Sequence, residues 1–409
     1  MYHLHTHCRA CDYGKPGAQG IKSAPTDKLI EVFDLGVQSL ANDFVHDGEP
    51  HAGYAPLKVL FCPQCSLAQL SVVVDPKVLY SHYSYVTSPS QMMRDHFIQI
   101  LSDIKDEAPE AKTVLEIGSN DGRLLHLMRN NGYSVQGIDP ARNLAEIARA
   151  TGVPTQTGLF GEDLARMFPD YDIIIARHVF CHVDDWHDFI RGLEALCHQE
   201  TLIFIEVPYV GDTLEKCEFD QVYHEHLSFL SIKAMEALLK GTSLKIHRIK
   251  QYSIHGGAIG IMLRTLGATT LPENNVVWSD NFTIEDWRAF AFTAKEQIWK
   301  LTTAVRSLTA QGKRVAGLGA SAKSTVWINA CGFTRKDISF IADNTPQKQF
   351  TFSPGSDIPI VDEGAIIREL PDYVIMFAWN YRTEILTKFA QARAKGVKFI
   401  IPVPKVEID

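Results

Sequence analysis

The sequence has no concentration of positive charge and no long apolar run. Its 40 lysine and arginine residues are outnumbered by 48 aspartate and glutamate residues, which gives a formal net charge of -8. A nucleic-acid or anionic-membrane surface is therefore not indicated, because such surfaces concentrate Lys and Arg. No stretch approaches the roughly eighteen consecutive apolar residues of a membrane-spanning helix. The opening "MYHLHTHCRACDYG" also lacks the apolar segment of a secretory leader. We expect a cytoplasmic protein without nucleic-acid or membrane partners.

The length and composition predict several folded domains. A chain of 409 residues exceeds one ordinary hydrophobic core and predicts two or three domains. Hydrophobic residues make up 45% and charged residues 22%, a balance that is typical of folded proteins.

The eight cysteines are unevenly placed along the chain. Four of them form two C-x-x-C pairs: Cys8, Cys11, Cys62 and Cys65. In a reducing compartment two such pairs are typical of a structural zinc site with four sulfur ligands, which leaves no open position for catalysis. A redox or disulfide pair and a coincidental spacing are the alternatives, and His5 or His7 could compete as ligands. The 50 residues between the two pairs predict an inserted hairpin.

A strand, helix, strand pattern follows the linking stretch "YSHYSYVTSPSQMMRDHF". The segment "TVLEIG" reads as a buried strand, "SNDGRLLHLMRNNG" as a loop and helix ending at Gly132, and "YSVQGIDP" as the next strand. Gly118 and Gly122 allow close backbone approach, and Asp139 ends the second strand, where a carboxylate can accept both hydroxyl hydrogens of a ribose. The pattern "EIGSNDG" resembles motif I of S-adenosylmethionine methyltransferases. A nicotinamide dinucleotide site and a ligand-free domain are the alternatives.

Histidines gather where two further strands end. The segment "YDIIIARHVFCHV" predicts a strand whose carboxyl end carries Arg177, His178 and His182, at the edge where open α/β sheets bind ligands. Beyond the strand "TLIFIEVPYVG" lies "FDQVYHEHLSFLS", which contains a second polar cluster: Tyr223, His224, Glu225 and His226. Two imidazoles beside a carboxylate suit proton transfer or metal binding. A hydrogen-bonded loop with satisfied histidines is the alternative.

The last third combines an amphipathic helix with a second glycine-rich turn. Apolar residues recur at helical spacing and predict one buried stripe: Trp287, Phe290, Ala294, Ile298, Leu301, Val305 and Leu308. In "RVAGLGASAKSTVWINACG", Gly317 and Gly319 clear space for a phosphate, Ser321 can donate to it and Lys323 adds charge. A nucleotide-diphosphate pocket is favoured here over an NAD site or a structural turn. Strands predicted in "ISFIADNTPQKQ", "YVIMFAWN" and "VKFIIPVP" complete a second Rossmann-like domain.

The whole chain resembles one family, the S-adenosylmethionine-dependent C-methyltransferases that act on nucleotide-linked ketosugars. The resemblance covers residues 1–409 and rests on motifs in chain order: the two C-x-x-C pairs, "YSYVTSPSQMMRDHF", "EIGSNDG", "FCHV", "FDQVYHEHLSFLS", "HGG", "GLGASAKS", "DNTPQKQ" and "FAWN". The chain departs from the family at position 224, which is His where some relatives carry Asp. It also departs in "HGGAIGIML", which lacks the arginine that often follows the glycines.

The resemblance implies an α/β protein in three parts. These are a zinc-binding module over residues 1–75, a Rossmann-like S-adenosylmethionine domain over 76–275, and a second Rossmann-like domain over 276–409 that helps to bind a nucleotide sugar, most often dTDP-linked. The implied cofactor-binding residues are Glu116, Gly118, Asn120, Gly122, Asp139 and His178. The implied substrate-binding residues are Gly319, Ser321, Lys323 and Asp343. The implied catalytic residues are Tyr83, His182, Tyr223, Glu225 and His226, with zinc on Cys8, Cys11, Cys62 and Cys65.

The chemistry of C-methylation suggests a role for each catalytic residue. Carbon becomes nucleophilic when a proton beside a carbonyl is removed, so a base, an enolate stabiliser and an aligned methyl donor are needed. We assign His226 as the base, Glu225 as the group that orients or charge-compensates it, and Tyr223 and Tyr83 as donors to substrate oxygens. His182 steadies the oxyanion or the cofactor edge. The rival hypotheses are an NAD-dependent oxidoreductase and a noncatalytic zinc-containing sugar-nucleotide binder.

Overall fold

The computed structural model describes residues 1–12, 28–80, 90–268, 278 and 280–409. The described residues form an α/β fold with a small N-terminal β-module and two larger sheets flanked by helices, which confirms the predicted fold class. No helix in these ranges is both long and apolar enough to cross a membrane.

The N-terminal module is built on an antiparallel hairpin. Its elements are β1 (Tyr2–Leu4), β2 (Ile30–Ser39), β3 (Tyr54–Phe61), β4 (Ala68–Leu70), β5 (Val72–Val74) and α1 (Pro76–Tyr80). Strand β2 pairs with β3 and β3 pairs with β4, both antiparallel, while β1 pairs with β5. The hairpin predicted between the two C-x-x-C pairs is therefore confirmed. Burial alternates along β3, as expected for a strand with one face on a core.

The middle of the chain forms a seven-stranded sheet covered by helices. Its elements up to the fifth strand are α2 (Gln91–Glu107), β6 (Thr113–Ile117), α3 (Arg123–Asn130), β7 (Ser134–Asp139), α4 (Arg142–Ala150), β8 (Thr155–Thr157), α5 (Glu162–Ala165), β9 (Tyr171–Arg177), α6 (Trp186–Ala195) and β10 (Cys197–Pro208). The remaining elements are α7 (Val210–Glu215), β11 (Ser228–Phe229), α8 (Ile232–Leu239), β12 (Leu244–Tyr252) and β13 (Ala258–Thr265), with 3₁₀ turns at Phe180–His182, Phe219–Gln221 and Ile254–Gly256.

The strand order of this sheet is β12-β13-β10-β9-β6-β7-β8. The five strands from β10 to β8 are parallel, whereas β13 pairs antiparallel with both of its neighbours, β10 and β12. The predicted strand, helix, strand unit is confirmed as β6, α3 and β7. Helix α2 was missed, because its first residues lie in the segment that the sequence analysis treated as a link. Ser90 caps this helix by accepting a hydrogen bond from the backbone N–H of Met93 at 3.2 Å.

The C-terminal part forms a six-stranded sheet entered through one long helix. Its elements are α9 (Ile284–Ala310), β14 (Val315–Leu318), α10 (Ala322–Cys331), β15 (Ile341–Asp343), β16 (Ile360–Asp362), α11 (Ala365–Glu369), β17 (Tyr373–Met376), a 3₁₀ turn at Trp379–Tyr381, α12 (Arg382–Lys388), α13 (Ala390–Ala394), β18 (Lys398–Ile401) and β19 (Glu407–Ile408). The order is β16-β15-β14-β17-β18-β19, parallel except at β19. In the predicted α9 stripe five residues are buried, whereas Ile298 and Leu308 are half-buried.

The three parts are joined by strand pairing and side-chain contacts. Strand β11, from the middle of the chain, pairs with β4 and completes the hairpin sheet, so the module expected over residues 1–75 is extended by a later segment. From the C-terminal part, Thr325 Oγ1 donates to the carbonyl of Ala41 at 2.8 Å, and Phe352 forms a β-bridge with Val45. The loop between α7 and β11, which carries the "YHEH" cluster, lies where the three parts meet.

Candidate active site

The four paired cysteines form one cluster. Their sulfur atoms all lie within 4.8 Å of one another, with Cys8 Sγ 3.4 Å from Cys65 Sγ and Cys11 Sγ 3.6 Å from Cys62 Sγ. Four sulfurs at about 2.3 Å from a tetrahedral zinc ion lie about 3.8 Å apart, so the cluster fits the metal. These separations are too long for disulfides, whose sulfurs lie about 2.0 Å apart. The four thiols are therefore suited to hold zinc, and His5 faces Asp184 instead of the cluster.

The turn between β6 and α3 has the backbone shape that was expected for a cofactor loop. Gly118 has a φ of +67°, and a Cβ there would lie 2.0 Å from Val179 Cγ2, so only glycine fits. Asp139 accepts hydrogen bonds from the backbone N–H groups of Asn120 and Ala141, both at 2.8 Å. Burial raises the pKa of Asp139 to about 6. The structure thus brings Gly118, Asn120 and Asp139 together at the carboxyl edge of the sheet. Gly122, with a φ of +77°, is the residue immediately before α3.

Glu116 lies deeper than the other predicted cofactor residues. Its side chain is fully buried and accepts a hydrogen bond from Arg177 Nε at 3.1 Å. The Arg177 guanidinium also lies 4.5 Å from the ring centroid of Phe97. Burial raises the pKa of Glu116 to about 7. Arg177 therefore holds Glu116 beneath the cofactor loop, and a direct contact of Glu116 with a cofactor stays a prediction.

Buried carboxylate oxygens at this edge suit a cationic ligand. Among the described residues, Glu116 Oε2, Asp121 Oδ1 and Glu206 Oε2 are buried without a hydrogen-bond partner. Unpaired buried acceptors are costly, and a ligand that brings positive charge and N–H groups would satisfy them. S-adenosylmethionine carries both a sulfonium and an amine, so this set of acceptors fits it.

His178 lies in a small cluster of buried and half-buried polar side chains. Its φ is +51°, its backbone N–H donates to the carbonyl of Glu206 at 2.7 Å, and its ring meets the ring of His255 edge-on at 4.9 Å. Glu206 is fully buried and lies 2.6 Å from His96 Nε2. Burial lowers the pKa of His178 well below its usual value, so the imidazole is neutral at neutral pH. Left-handed backbone at a non-glycine residue is uncommon and often marks functional positions.

His226 has two hydrogen-bond partners that define its tautomer. Its Nδ1 donates to the carbonyl of Gln221 at 2.8 Å, and its Nε2 accepts from the hydroxyl of Tyr223 at 2.6 Å. Burial lowers the pKa of His226 well below its usual value. The imidazole is therefore neutral at neutral pH and presents its basic nitrogen to Tyr223. The rings of His226 and His182 lie 5.2 Å apart.

His182 lies beside His226 at the end of the 3₁₀ turn Phe180–His182. Burial lowers its pKa to about 4, so it too is neutral at neutral pH. Tyr80 stacks against it with an interplanar angle of 9° and ring centroids 6.2 Å apart. The predicted active-site residue Tyr83 lies outside the described residues. Tyr80 was not predicted as a site residue, because nothing in its sequence segment distinguishes it from the neighbouring tyrosines.

Glu225 and His224 point toward the N-terminal module. Glu225 is 2% exposed, and both of its carboxylate oxygens lie 2.8 Å from the donating Nδ2 of Asn42, which follows β2. His224 Nε2 lies 3.1 Å from the carbonyl of Ala55 on β3. Gln221 and Tyr223 are thus the hydrogen-bond partners of the His226 ring, and the orienting role of Glu225 stays a prediction. Asn42 was missed because it lies 183 residues from Glu225 in the chain.

The second glycine-rich turn is held mainly by its own side chains. Gly319 has a φ of +93°, Asp343 Oδ2 accepts from the backbone N–H of Ala320 at 2.6 Å, and the Ser321 hydroxyl caps α10 by accepting from Ser324 N at 3.2 Å. The structure therefore brings Gly319, Ser321 and Asp343 together at one sheet edge. Their contact with a substrate stays a prediction.

Two lysines near this turn face the centre of the molecule. Lys323 Nζ donates to the carbonyl of His255 at 3.2 Å and lies 4.3 Å from the ring centroid of Trp379. Lys348, which sequence reasoning missed, is 5% exposed and donates to the carbonyl of Ala320 at 2.7 Å. Its ammonium also lies 4.9 Å from the ring centroid of Phe44. Positive charge from the C-terminal part thus lies close to the "YHEH" loop.

A buried carboxylate links the "YHEH" loop to the C-terminal part. Asp220 is fully buried, and its Oδ2 accepts from Trp379 Nε1 at 2.7 Å and from Trp327 Nε1 at 3.1 Å. The next residue in the chain is Gln221, whose carbonyl accepts the hydrogen bond from His226. The two indoles therefore hold the loop segment that orients the candidate base.

Comparisons with known proteins give a consistent result. Three family models match the chain: "Putative zinc binding domain" over residues 23–80, "Methyltransferase domain" over 91–249, and "C-methyltransferase C-terminal domain" over 253–404. C-methyltransferase NovU from Streptomyces niveus is 32% identical over 400 residues, covering 93% of this chain and 94% of that protein.

Similar solved structures are more distant. The PH0226 protein from Pyrococcus horikoshii OT3 has a TM-score of 0.37 and 12% identity, over 47% of this chain and 96% of that one. The plantazolicin methyltransferase BpumL, in complex with SAH, has a TM-score of 0.35 and 12% identity, over 43% and 86%. These TM-scores are too low to bear on function. A relative of 32% identity aligns with nearly the whole of both chains, so the NAD-dependent and noncatalytic alternatives are set aside. This chain belongs to the zinc-binding, S-adenosylmethionine-dependent C-methyltransferases.

Proposed function

We propose that this C-methyltransferase acts on a nucleotide-linked ketodeoxysugar, with dTDP as the favoured nucleotide, in deoxysugar biosynthesis. When bound, S-adenosylmethionine supplies an electrophilic methyl group, which requires a carbon nucleophile on the substrate. A carbon beside a ketone becomes nucleophilic as an enolate, so the chain needs a base next to the substrate. The domain boundaries at residues 75/76 and 275/276 remain part of this proposal.

The observation that carries the proposal is the hydrogen-bonded pair of Tyr223 and His226. The Gln221 carbonyl holds the proton of His226 on Nδ1, so Nε2 keeps a lone pair, and the Tyr223 hydroxyl lies 2.6 Å from it. We assign Nε2 as the final acceptor of the substrate proton, which reaches it directly or through the Tyr223 hydroxyl. In either route the low pKa of buried His226 keeps the base neutral and ready at neutral pH.

The neighbouring side chains supply polar groups to the rest of the substrate. His182, neutral and 5.2 Å from His226 between ring centroids, is suited to donate a hydrogen bond to the enolate oxygen. Glu225, held by Asn42, is suited to accept hydrogen bonds from sugar hydroxyls. Lys323 and Lys348 bring positive charge to the side of the C-terminal turn, where a diphosphate would be favoured.

The location is also part of the proposal. All eight cysteines are free thiols in the structure, which suits a reducing compartment, and we place the enzyme in the cytoplasm.

The test is a substrate panel. Zinc-loaded enzyme is incubated with methyl-labelled S-adenosylmethionine and a series of dTDP- and UDP-linked sugars, each as the 4-ketosugar and as the matched alcohol, and the products are analysed by mass spectrometry. We expect label in a carbon–methyl product from ketosugars only, and more with dTDP than with UDP. Equal methylation of the alcohols would contradict the enolate route, and no labelled ketosugar product would contradict the substrate class.

A further inference from the structure

Three side chains outside the active site and the cysteine cluster meet at the N-terminal strand. His3 lies on β1, His5 directly follows β1, and Asp184 lies between the 3₁₀ turn Phe180–His182 and α6. One ligand atom from each side chain lies within 4.8 Å of the other two. His5 Nδ1 is 3.1 Å from Asp184 Oδ1, and His3 Nε2 is 3.4 Å from Asp184 Oδ2.

The spacing of these atoms is that of a metal-binding set. Side chains two residues apart on an extended chain point to the same side, so His3 and His5 can approach one ion together. Nitrogen and oxygen ligands about 2.0–2.1 Å from a tetrahedral metal lie about 3.4 Å apart. The two measured separations, one to each oxygen of Asp184, are close to this value, and one ligand atom from each of the three side chains lies within 4.8 Å of the others. Two imidazoles and one carboxylate suit borderline divalent ions such as Zn²⁺, Ni²⁺ and Cu²⁺.

Arg9 prepares the carboxylate for this role. Its Nε and Nη2 both donate to Asp184 Oδ1, at 3.2 and 3.0 Å, and its guanidinium is buried. Arg9 makes no hydrogen bond to Asp184 Oδ2, which in the described part of the chain lies 3.4 Å from His3 Nε2. Arg9 therefore fixes the carboxylate and leaves one oxygen for a metal, as the groups that orient ligating carboxylates commonly do.

The charges around the site predict a modest affinity. Arg9 is cationic and close to the metal position, so it opposes a divalent ion, whereas Asp184 favours one. His3 is 61% exposed at its side chain, which gives an ion a direct path from solvent. The four-cysteine cluster, by contrast, is mostly buried and offers four sulfur ligands.

We propose that His3, His5 and Asp184 form a second, exchangeable site for a borderline divalent transition metal, separate from the four-cysteine zinc site. Because Asp184 follows His182 by two residues, an ion there ties the N-terminal strand to the loop that carries this candidate active-site histidine. The proposal does not depend on the substrate of the enzyme.

Metal binding to untagged, zinc-loaded protein tests the proposal. Ni²⁺ is titrated by equilibrium dialysis with elemental analysis, so that bound nickel and retained zinc are counted in the same sample. We expect about one Ni²⁺ per chain with the cysteine-bound zinc retained. His3→Ala should weaken nickel binding by at least about tenfold, since one of three ligands is lost. His46→Ala, which removes an exposed histidine of the same module, is the matched control and should bind nickel as the wild type does.

Cobalt gives an independent readout of the ligand type. Thiolate ligands produce intense sulfur-to-cobalt charge-transfer absorption, whereas nitrogen and oxygen ligands give only weak ligand-field bands. Co²⁺ added to zinc-loaded protein should give the weak bands alone, and His5→Ala should remove them. The proposal is overturned if nickel binding is unchanged in His3→Ala, if His46→Ala loses as much binding, or if zinc is displaced in proportion to the nickel or cobalt bound.

Discussion

Replacement of Asn42 tests whether the N-terminal module takes part in the chemistry. The Asn42 amide donates to both oxygens of Glu225, a carboxylate that is 2% exposed, so Asn42→Ala leaves this group with less hydrogen bonding in a buried setting. A hydrogen bond to a charged group contributes about 1.5–3 kcal/mol. We count one such bond, because a single amide group serves both oxygens. At about 1.4 kcal/mol for each factor of ten, the full strength of this bond sets an upper bound of about 10- to 100-fold on the fall in kcat/KM.

A second substitution at Asn42 gives the experiment a matched comparison. Asn42→Asp keeps the shape of the side chain but places a second carboxylate against Glu225, and two adjacent carboxylates do not both ionise readily. The added negative charge should therefore lower kcat/KM further in Asn42→Asp than in Asn42→Ala. The assay is labelled-methyl transfer at saturating cofactor, with His46→Ala as the control from the same segment.

Specific outcomes would refute this reasoning. Wild-type kcat/KM in both Asn42 variants would show that Glu225 does not need the N-terminal module. A large loss accompanied by loss of S-adenosylmethionine affinity would show that the variant disturbs the fold instead.

Three further predictions concern the cofactors. Cys62→Ser should lower the zinc content from about one per chain and destabilise the N-terminal module, which elemental analysis and thermal unfolding measure; zinc-free wild-type protein of normal stability would contradict this. Asp139→Ala should weaken S-adenosylmethionine binding in calorimetry, and it should also lower the melting temperature because two backbone N–H groups lose their acceptor; an unchanged affinity would count against a ribose contact. Burial raises the pKa of Asp139 to about 6, so the affinity of the wild type for S-adenosylmethionine should fall as the pH drops through about 6. At lower pH the carboxylate gains a proton and accepts fewer hydrogen bonds. The same pH dependence in Asp139→Asn would assign it to another group.

The local elements of the fold could be predicted from the sequence because their patterns are local. The alternation of strand and helix around Gly118 predicted β6, α3 and β7, and the spacing of apolar residues predicted α9. The insertion of a hairpin followed from the length between the two C-x-x-C pairs. Helix α2 was missed because its start, "QMMRDHF", lies in a polar segment and its buried face becomes clear only against the sheet.

The contacts between the parts could not be predicted, because they join residues far apart in the chain. Asn42 reaches Glu225, and Trp327 and Trp379 reach Asp220, with no periodicity or motif linking them. The roles of individual residues in the "YHEH" cluster were equally hidden. His224 lies against the hairpin and His226 against Tyr223, although the two histidines are only two positions apart.

Proton exchange at the substrate carbon tests the central claim most directly. The enzyme is given a dTDP-4-ketosugar that it methylates and a nonmethylating cofactor analogue in deuterated water, and deuterium entry beside the ketone is followed by mass spectrometry. Wild-type enzyme should exchange this position. His226→Asn should keep its melting temperature and cofactor affinity but lose exchange by roughly 10²- to 10⁴-fold, the contribution of a positioned base. Tyr223→Phe should retain exchange if the proton reaches Nε2 directly and lose it if the hydroxyl relays it. Exchange by His226→Asn at the wild-type rate would contradict the account and place the base elsewhere.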